Sequence, residues 1–306
     1  MGSNNNEYKE IRPKSKLKFF FWSDPYRLPK DAETLSYFAK KGVQFVIALG
    51  KHTMKEKCYS KIQRLIDNNI GLNICILDKD FAHLDNSSKY LGLYKLLRKS
   101  TIFDSANEIY IDAEISNKYR KTVRNSTWNK KIAYVFNSYP NKNEYQRAID
   151  NYNHLVKLVH NDGKKFGIIR SISAAYQFDK LTRNVPFKEI NEDITVIMVY
   201  RVPEGNTKEY NDYWFYQFAK KEGDYIFLGG INNGYRSLRK DITICSYLNK
   251  KRIYIYDYHG FQKFCKIGDL KPYKHYKLKK DALETIKYTA IFTGIKMTDK
   301  ILKFFK

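Results

Sequence analysis

The sequence predicts a (β/α)8 TIM-like barrel, and three observations carry that expectation. Short apolar runs rich in β-formers alternate with longer amphipathic stretches, the pattern of βα units feeding a parallel sheet. About eight such units fit into 306 residues, close to the ~250 residues that a (β/α) barrel takes. No G-x-G-x-x-G or Walker-type loop follows an early strand, which weakens the open doubly wound alternative.

Taken in order, "KLKFFFWSD" (16–24) reads as the first strand and "DAETLSYFAKKG" as its helix, with Gly42 at the stop position. "VQFVIALG" (43–50) is the second strand, and the helix after it places Cys58, Ile62, Leu65 and Ile66 at helical spacing. "LNICILDKD" (72–80) and "EIYIDAEIS" (108–116) are the third and fourth strands. "KFGIIR" (165–170), "DITVIMVYR" (193–201), "DYIFLGGINN" (224–233) and "RIYIYDYHG" (252–260) complete the series. One run does not fit. "KIAYVFNSYP" (131–140) has no convincing helix before it, so it reads as an extra strand or hairpin excursion after strand four. Residues 1–15 are expected to be a flexible N-terminal segment, and 16–306 a single barrel domain.

Composition narrows the function classes. Hydrophobic residues make up 43% of the chain and charged residues 29%, which suits a folded globular protein. No stretch approaches the ~18 consecutive apolar residues of a membrane span, so no transmembrane segment is expected. The opening "MGSNNNEYKE" has no apolar leader region. Met-Gly-Ser also has the form of an expression remnant, so the compartment stays open, extracytoplasmic if a leader was removed. Four cysteines without a C-x-x-C pair argue against a disulfide framework or a zinc ribbon. The six histidines lack metal-ligand spacing, although strand ends such as His52, Asp78, Asp112 and His259 could meet in space. Neither a metal nor a cofactor is implied. The net charge of +24 points to polyanionic partners, whether nucleic acid, an acidic wall polymer or an anionic surface. The lysines are spread along the chain, however, and an AT-rich genome would produce the same excess.

The chemistry-bearing candidates sit at strand ends. Residues i and i+2 of a strand share a face, so Tyr110, Asp112 and Glu114 line one side of strand four while Ile109 and Ile111 line the other. In a (β/α) barrel the inward series emerges at the C-terminal rim, where the active sites of this fold lie. Two nearby carboxylates push their pKa values apart, which can leave one of them a proton donor. Other strands also end on polar or aromatic groups: Trp22 and Asp24, Asp78, Tyr200, Asn232 and Asp257. With 16% aromatic residues, including 26 tyrosines, such a rim suits a sugar or polar ligand. The bland alternative is a set of solvated strand ends.

Asp112-Ala113-Glu114 at the end of strand four resembles the strand-four acids of (β/α)-barrel glycoside hydrolases, particularly chitinase-like enzymes and lysozyme-type muramidases. The resemblance implies Glu114 as general acid and Asp112 as its assistant, orienting an N-acetyl group. Met198-Val199-Tyr200 is similar to the start of the chitinase M-x-Y-D motif, with Arg201 in place of the Asp. Asn107 and Tyr110 stand where chitinases carry further Asp residues, and Asp24 is a loose match to the strand-one Asp of muramidases.

The leading expectation is therefore a glycosidase-like protein acting on an amino-sugar-containing or acidic polysaccharide. Its pocket would be lined by Trp22, Asp24, Asp78, Tyr200, Asn232 and Asp257. The alternative is a barrel that has lost its chemistry and holds a glycan or another partner. A third reading is a nucleic-acid-binding protein that grips its ligand through "NKYRKTVRNSTWNKK" (117–131), where basic residues interleave with Tyr119 and Trp128.

Overall fold

The computed structural model describes residues 8–114, 140–171, 183–186, 189–200, 210–221, 223–229 and 237–281, with positions 121, 127, 286, 293 and 297. The strands are β1 (Tyr8–Ile11), β2 (Lys18–Ser23), β3 (Gln44–Leu49), β4 (Gly71–Ile76), β5 (Ala106–Ala113), β6 (Lys165–Ser171), β7 (Ile194–Met198), β8 (Tyr225–Leu228), β9 (Arg252–Tyr256) and β10 (Tyr276–Lys279). The helices are α1 (Ala32–Lys41), α2 (Glu56–Asp67), α3 (Ser87–Leu97), α4 (Lys142–Asn161), α5 (Asp212–Lys221), α6 (Leu238–Tyr247) and α7 (Tyr258–Phe264). Strands β2 to β9 close into a parallel barrel in chain order, while β1 and β10 form a separate two-stranded sheet.

Each of the eight runs expected to be a barrel strand overlaps one, with β4 and β5 starting one and two residues earlier than expected and β6 ending one later. Strand β5 pairs directly with β6, from Glu108 opposite Lys165 to Ala113 opposite Arg170. Nothing from the intervening chain is inserted between them, and residues 131–139, the expected excursion, lie outside the described residues. The segment before residue 16 differs from expectation. Tyr8–Ile11 forms β1, antiparallel to β10, with Ile11 fully buried. Its partner strand lies at the other end of the sequence, so no local pattern reveals the pairing.

The chain divides into two compact units, Asp24–Thr195 with Ile295–Lys306, and Met1–Ser23 with Val196–Gly294. In the first, β3, β4, β5 and β6 form consecutive parallel ladders. Helix α1 starts where Asp31 accepts a hydrogen bond from the Thr34 amide (2.7 Å) and stops at Gly42, whose φ of 64° is left-handed. It buries Leu35 and Phe38, and Phe38 meets Phe45 of β3 with ring centroids 5.9 Å apart. Phe45 therefore faces the helices. Phe45 pairs with Leu72, Ile74 with Ile109, and Cys75 with Tyr110. In-register partners share a face, so Asn73, Cys75, Glu108, Tyr110 and Asp112 look away from the helices, into the barrel. Helix α4 opens with a reciprocal cap between Asn141 and Glu144 and buries Tyr145, Ala148 and Ile149 against Leu84.

In the second unit, β7, β8, β9 and β2 form the parallel ladders. Phe21 contacts Tyr258 and Phe261 of α7, so it faces outward. Phe20, stacked on Tyr254 at 4.7 Å, and Trp22 then face inward.

Gly167 sits opposite Tyr110 on β6, and a Cβ there would run into the Tyr110 ring. The expected outcome for Gly167→Ala is a loss of about 1–3 kcal/mol in urea unfolding, because the fully buried ring has nowhere to shift. Gly92, on exposed α3 surface with open space around its Cα, is the counter-test. Gly92→Ala should stabilise the protein by up to about 1 kcal/mol.

Candidate functional site

Within the Asp24–Thr195 unit, the C-terminal end of β5 is the centre of a polar arrangement. Asp112 is 7% exposed, on the interior face, one alternation beyond Tyr110. Below it, the Tyr110 hydroxyl donates to buried Glu108 at 2.5 Å. Glu114 follows at partial exposure, just past the strand. The backbone of Asp112 is held from both sides. On one edge Asp112 is in register with Ile169 of β6. On the other, the Ala82 amide donates to the Asp112 carbonyl at 2.7 Å and Ala82 bridges Ala113.

Ala82 belongs to the loop between β4 and α3, "DKDFAHLDN" (78–86), of which Asp78 is an expected site residue. His83, read in the sequence as one of several isolated histidines, is 6% exposed and caps a 3-10 turn, Leu84–Asn86. Its Nδ1 accepts from the Asp85 amide at 3.2 Å, leaving Nε2 toward Asp80 at 3.4 Å. The His83 carbonyl accepts from the buried Tyr152 hydroxyl at 2.8 Å, and its backbone bridges Asn184. Asn86 ties the turn together by accepting from the His83 amide (2.9 Å) and donating to the Phe81 carbonyl (2.5 Å). Arg183 clasps Asp85 through a paired contact. The clustering of acids around one histidine in "DKDFAHLD" was the available signal.

The expected site residues fall as follows. Asp78 stands at the end of β4 in this same loop, with Lys89 at 3.4 Å and the Asn86 side-chain amide at 3.5 Å. The Asp78 amide donates to the Tyr90 hydroxyl at 3.3 Å. Burial pushes the Tyr90 phenol up, and the charges of neighbouring groups, Asp112 among them, add to the effect. Asp24 lies past the end of β2 in a tight turn, accepting from the Tyr26 amide at 2.8 Å and meeting Arg27 Nε at 3.2 Å. Its carboxylate shapes its own turn.

In the other unit, Trp22, Tyr256 and Tyr200 form an aromatic group at the C-terminal ends of β2 and β9 and just past β7. Trp22 and Tyr256 are 4.9 Å apart, and Tyr200 stacks on Tyr256 at 6.4 Å. The Tyr200 ring lies where Gly229 leaves room for it; a Cβ at 229 would strike that ring. Asp257 is buried and caps α7, accepting from the Gly260 amide at 2.8 Å. Its role is local. Asn232, Arg201 and nearly all of 117–131 lie outside the described residues. Among the described residues, no three His, Cys, Asp or Glu side chains cluster as metal ligands would, and no helix is long and apolar enough to cross a membrane.

No protein-family model matches the chain, and no curated protein shows a significant sequence match. Among solved structures, the chain is similar to a GH18 chitinase from Pseudoalteromonas aurantia, at 9% identity and a TM-score of 0.45, covering 80% of this chain and 96% of that one. It is similar to a sugar phosphate isomerase/epimerase from Parabacteroides distasonis at 9% identity and a TM-score of 0.43, covering 83% and 95%. A third similarity is to a xylose isomerase-like TIM barrel/4-hydroxyphenylpyruvate dioxygenase fusion protein, at 8% identity and a TM-score of 0.39. That match covers 79% of this chain, which spans only 39% of the fusion protein. At these identities the likeness concerns the barrel fold and nothing finer.

The His83 loop makes a measurable claim about pH. Burial holds the His83 imidazole below its ordinary range, with Asp85 and Asp80 pulling the other way and Lys89 assisting. As pH falls through about 6.5, the unfolded chain takes up this proton before the folded one does, so stability falls. The His83→Asn variant, which keeps an acceptor for the cap, should lose less stability than the wild type between pH 7.5 and 5.5 when urea midpoints are compared.

Proposed function

We propose that the protein is a carbohydrate-active barrel of glycosidase type, acting on a polysaccharide that contains an amino sugar. One observation carries this reading: Asp112 is buried on the interior face at the end of β5, with Glu114 two residues beyond it at the rim. The C-terminal rim is where this fold does its chemistry, and Asp-x-Glu there is the arrangement that the resemblance to chitinase-like enzymes calls for.

In this reaction Glu114 donates its proton to the glycosidic oxygen as the bond from that oxygen to the anomeric carbon breaks. The acetamido oxygen of the substrate itself attacks the anomeric carbon from the opposite face and closes an oxazolinium ring. Asp112, roughly 6–7 Å away along the strand, stabilises the positive charge that develops and orients the acetamido group. Water entering from the face that the leaving group has vacated then opens that ring, and Glu114 takes its proton, which restores the acid for the next turnover. The Ala82–Asp112 and Asp112–Ile169 backbone contacts hold the assistant carboxylate on rigid wall, which suits a group that must not move during the reaction.

A second reading, a glycan-binding barrel without turnover, is favoured by two specific observations. Arg201 replaces the acid of the M-x-Y-D pattern. The carboxylates of Asp24 and Asp257 make turn and cap hydrogen bonds to neighbouring backbone amides. The Trp22–Tyr256–Tyr200 group would then be the sugar-stacking surface of its unit.

The two readings part on turnover. Against chitooligosaccharides and muropeptide-derived glycans, the hydrolase reading expects reducing ends to be released. Glu114→Gln should lower kcat by about 10²–10⁴ with an unchanged melting temperature, and Asp112→Asn should lower it less. Binding without release across the panel would move the assignment to the second reading; neither binding nor release would end both.

A further inference from the structure

The antiparallel pairing of β1 with β10 gathers charge that the sequence keeps far apart. "YKEIRPKSK" (8–16) and "PYKHYKLKK" (272–280) together hold eight Lys or Arg residues and His275 against one carboxylate, Glu10. The ladder sets Tyr8 opposite Lys279 and Glu10 opposite Lys277. Leu278, between the two lysines, is fully buried, so Lys277 and Lys279 share the outer face, about 6.8 Å apart along the strand. Glu10 is already engaged by Arg12 and His275, both at 3.1 Å, which leaves the ribbon strongly positive.

Aromatic faces are interleaved with these cations. Tyr8 is 56% exposed beside Lys279. At the edge of the ribbon a groove of about 240 Å³ is lined by Glu10, Arg12, Lys14 and Tyr247, and Lys14 Nζ stands 4.4 Å from the Tyr247 ring centroid. Tyr273 and Tyr276 stack on each other at 6.1 Å, with the Arg239 guanidinium 4.2 Å from the Tyr273 ring. Two other acids among the described residues have partners of their own: Asp212 receives the Tyr276 hydroxyl and lies 3.4 Å from Lys240, and Asp281 accepts from Asn211 at 3.0 Å.

We infer that the β1–β10 ribbon and its flanking groove form a binding surface for single-stranded nucleic acid, independent of any glycan chemistry in the barrel. Lysines repeating along one strand face, with the exposed Tyr8 ring beside them, match a chain of phosphates whose bases stack on aromatic side chains. An acidic polysaccharide would also satisfy the lysines, but a planar base covers the face of an exposed tyrosine ring more fully than a sugar ring does, and heparin separates the two in the test below. A membrane surface would want apolar side chains on the outer face, and Leu278 points inward. The basic segment 117–131 is not needed for this surface.

The test is fluorescence anisotropy with a labelled single strand of about 20 nucleotides, titrated at several salt concentrations. The triple variant Arg12→Gln/Lys277→Gln/Lys279→Gln should bind about 10-fold or more weakly, and its log–log salt slope should fall by about 2. The control Lys40→Gln/Lys95→Gln/Lys99→Gln removes the same charge from exposed positions on or beside α1 and α3 and should leave both quantities nearly unchanged. Tyr8→Ala should weaken binding about 5-fold or more without altering the salt slope, while Tyr8→Phe should bind as wild type does. The inference is overturned if the wild type fails to bind the oligonucleotide, or if ribbon and control variants weaken equally. It is also overturned if Tyr8→Ala binds normally, or if heparin or anionic vesicles bind where the oligonucleotide does not. A change in glycan hydrolysis bears on neither outcome.

Discussion

Packing of one phenylalanine against another sets the orientation of half the barrel wall. Because Phe45 lies on Phe38 of α1, the outward series of β3 is fixed, and the parallel register carries that parity through β4 and β5 to β6. Beyond the register shift between Leu72 and Ile74, where β5 carries one extra residue, a slip of one residue would turn every side chain to the other face. Ile109 and Ile111 would then enter the barrel, and Asp112 would be pressed into the helix layer without water or a ligand to face. The placement of the acids is thus a consequence of hydrophobic burial some distance away, where Phe38 and Phe45 are both fully buried.

Precision at the β5 end comes from a different source. The loop after β4 returns to pair with Ala113, extending the sheet for one bridge beyond the regular strand. His83, Asn86 and Tyr152 hold that loop with a closed set of hydrogen bonds, and Asp85 ties it to Arg183. Buried polar networks of this kind rigidify when every member is satisfied. The loop therefore acts as a brace for the Asp112 backbone, while the partly exposed Glu114 lies just beyond the braced segment.

The strand and helix pattern was legible because each βα unit is a local statement: a period of two, a period of 3.6, and a stop such as Gly42. The interior orientation of Asp112 was legible for the same reason, since alternation within β5 needs no information from elsewhere. What escaped the sequence depends on contacts between distant residues. His83 looked isolated because Tyr152 and Asn184, which bury it, lie 69 and about 100 positions away. Asp24 and Asp257 looked like rim acids because a strand end and a turn or cap use the same residue types. The lysines of β1 and β10 looked dispersed because charge density along a chain is not charge density on a surface.

The ribbon that joins those lysines has a consequence for the order of assembly. Glu10 and His275 meet across 265 positions, and closing a loop of that length costs an ideal chain about 5 kcal/mol or more. Four residues on each side cannot repay that alone, so β1 and β10 zip together only after the intervening chain has already brought their ends near. Once the wall is in place, the ribbon is held by a ladder of four residue pairs and opens without the barrel, and amide exchange there is expected to run ahead of exchange in the wall strands.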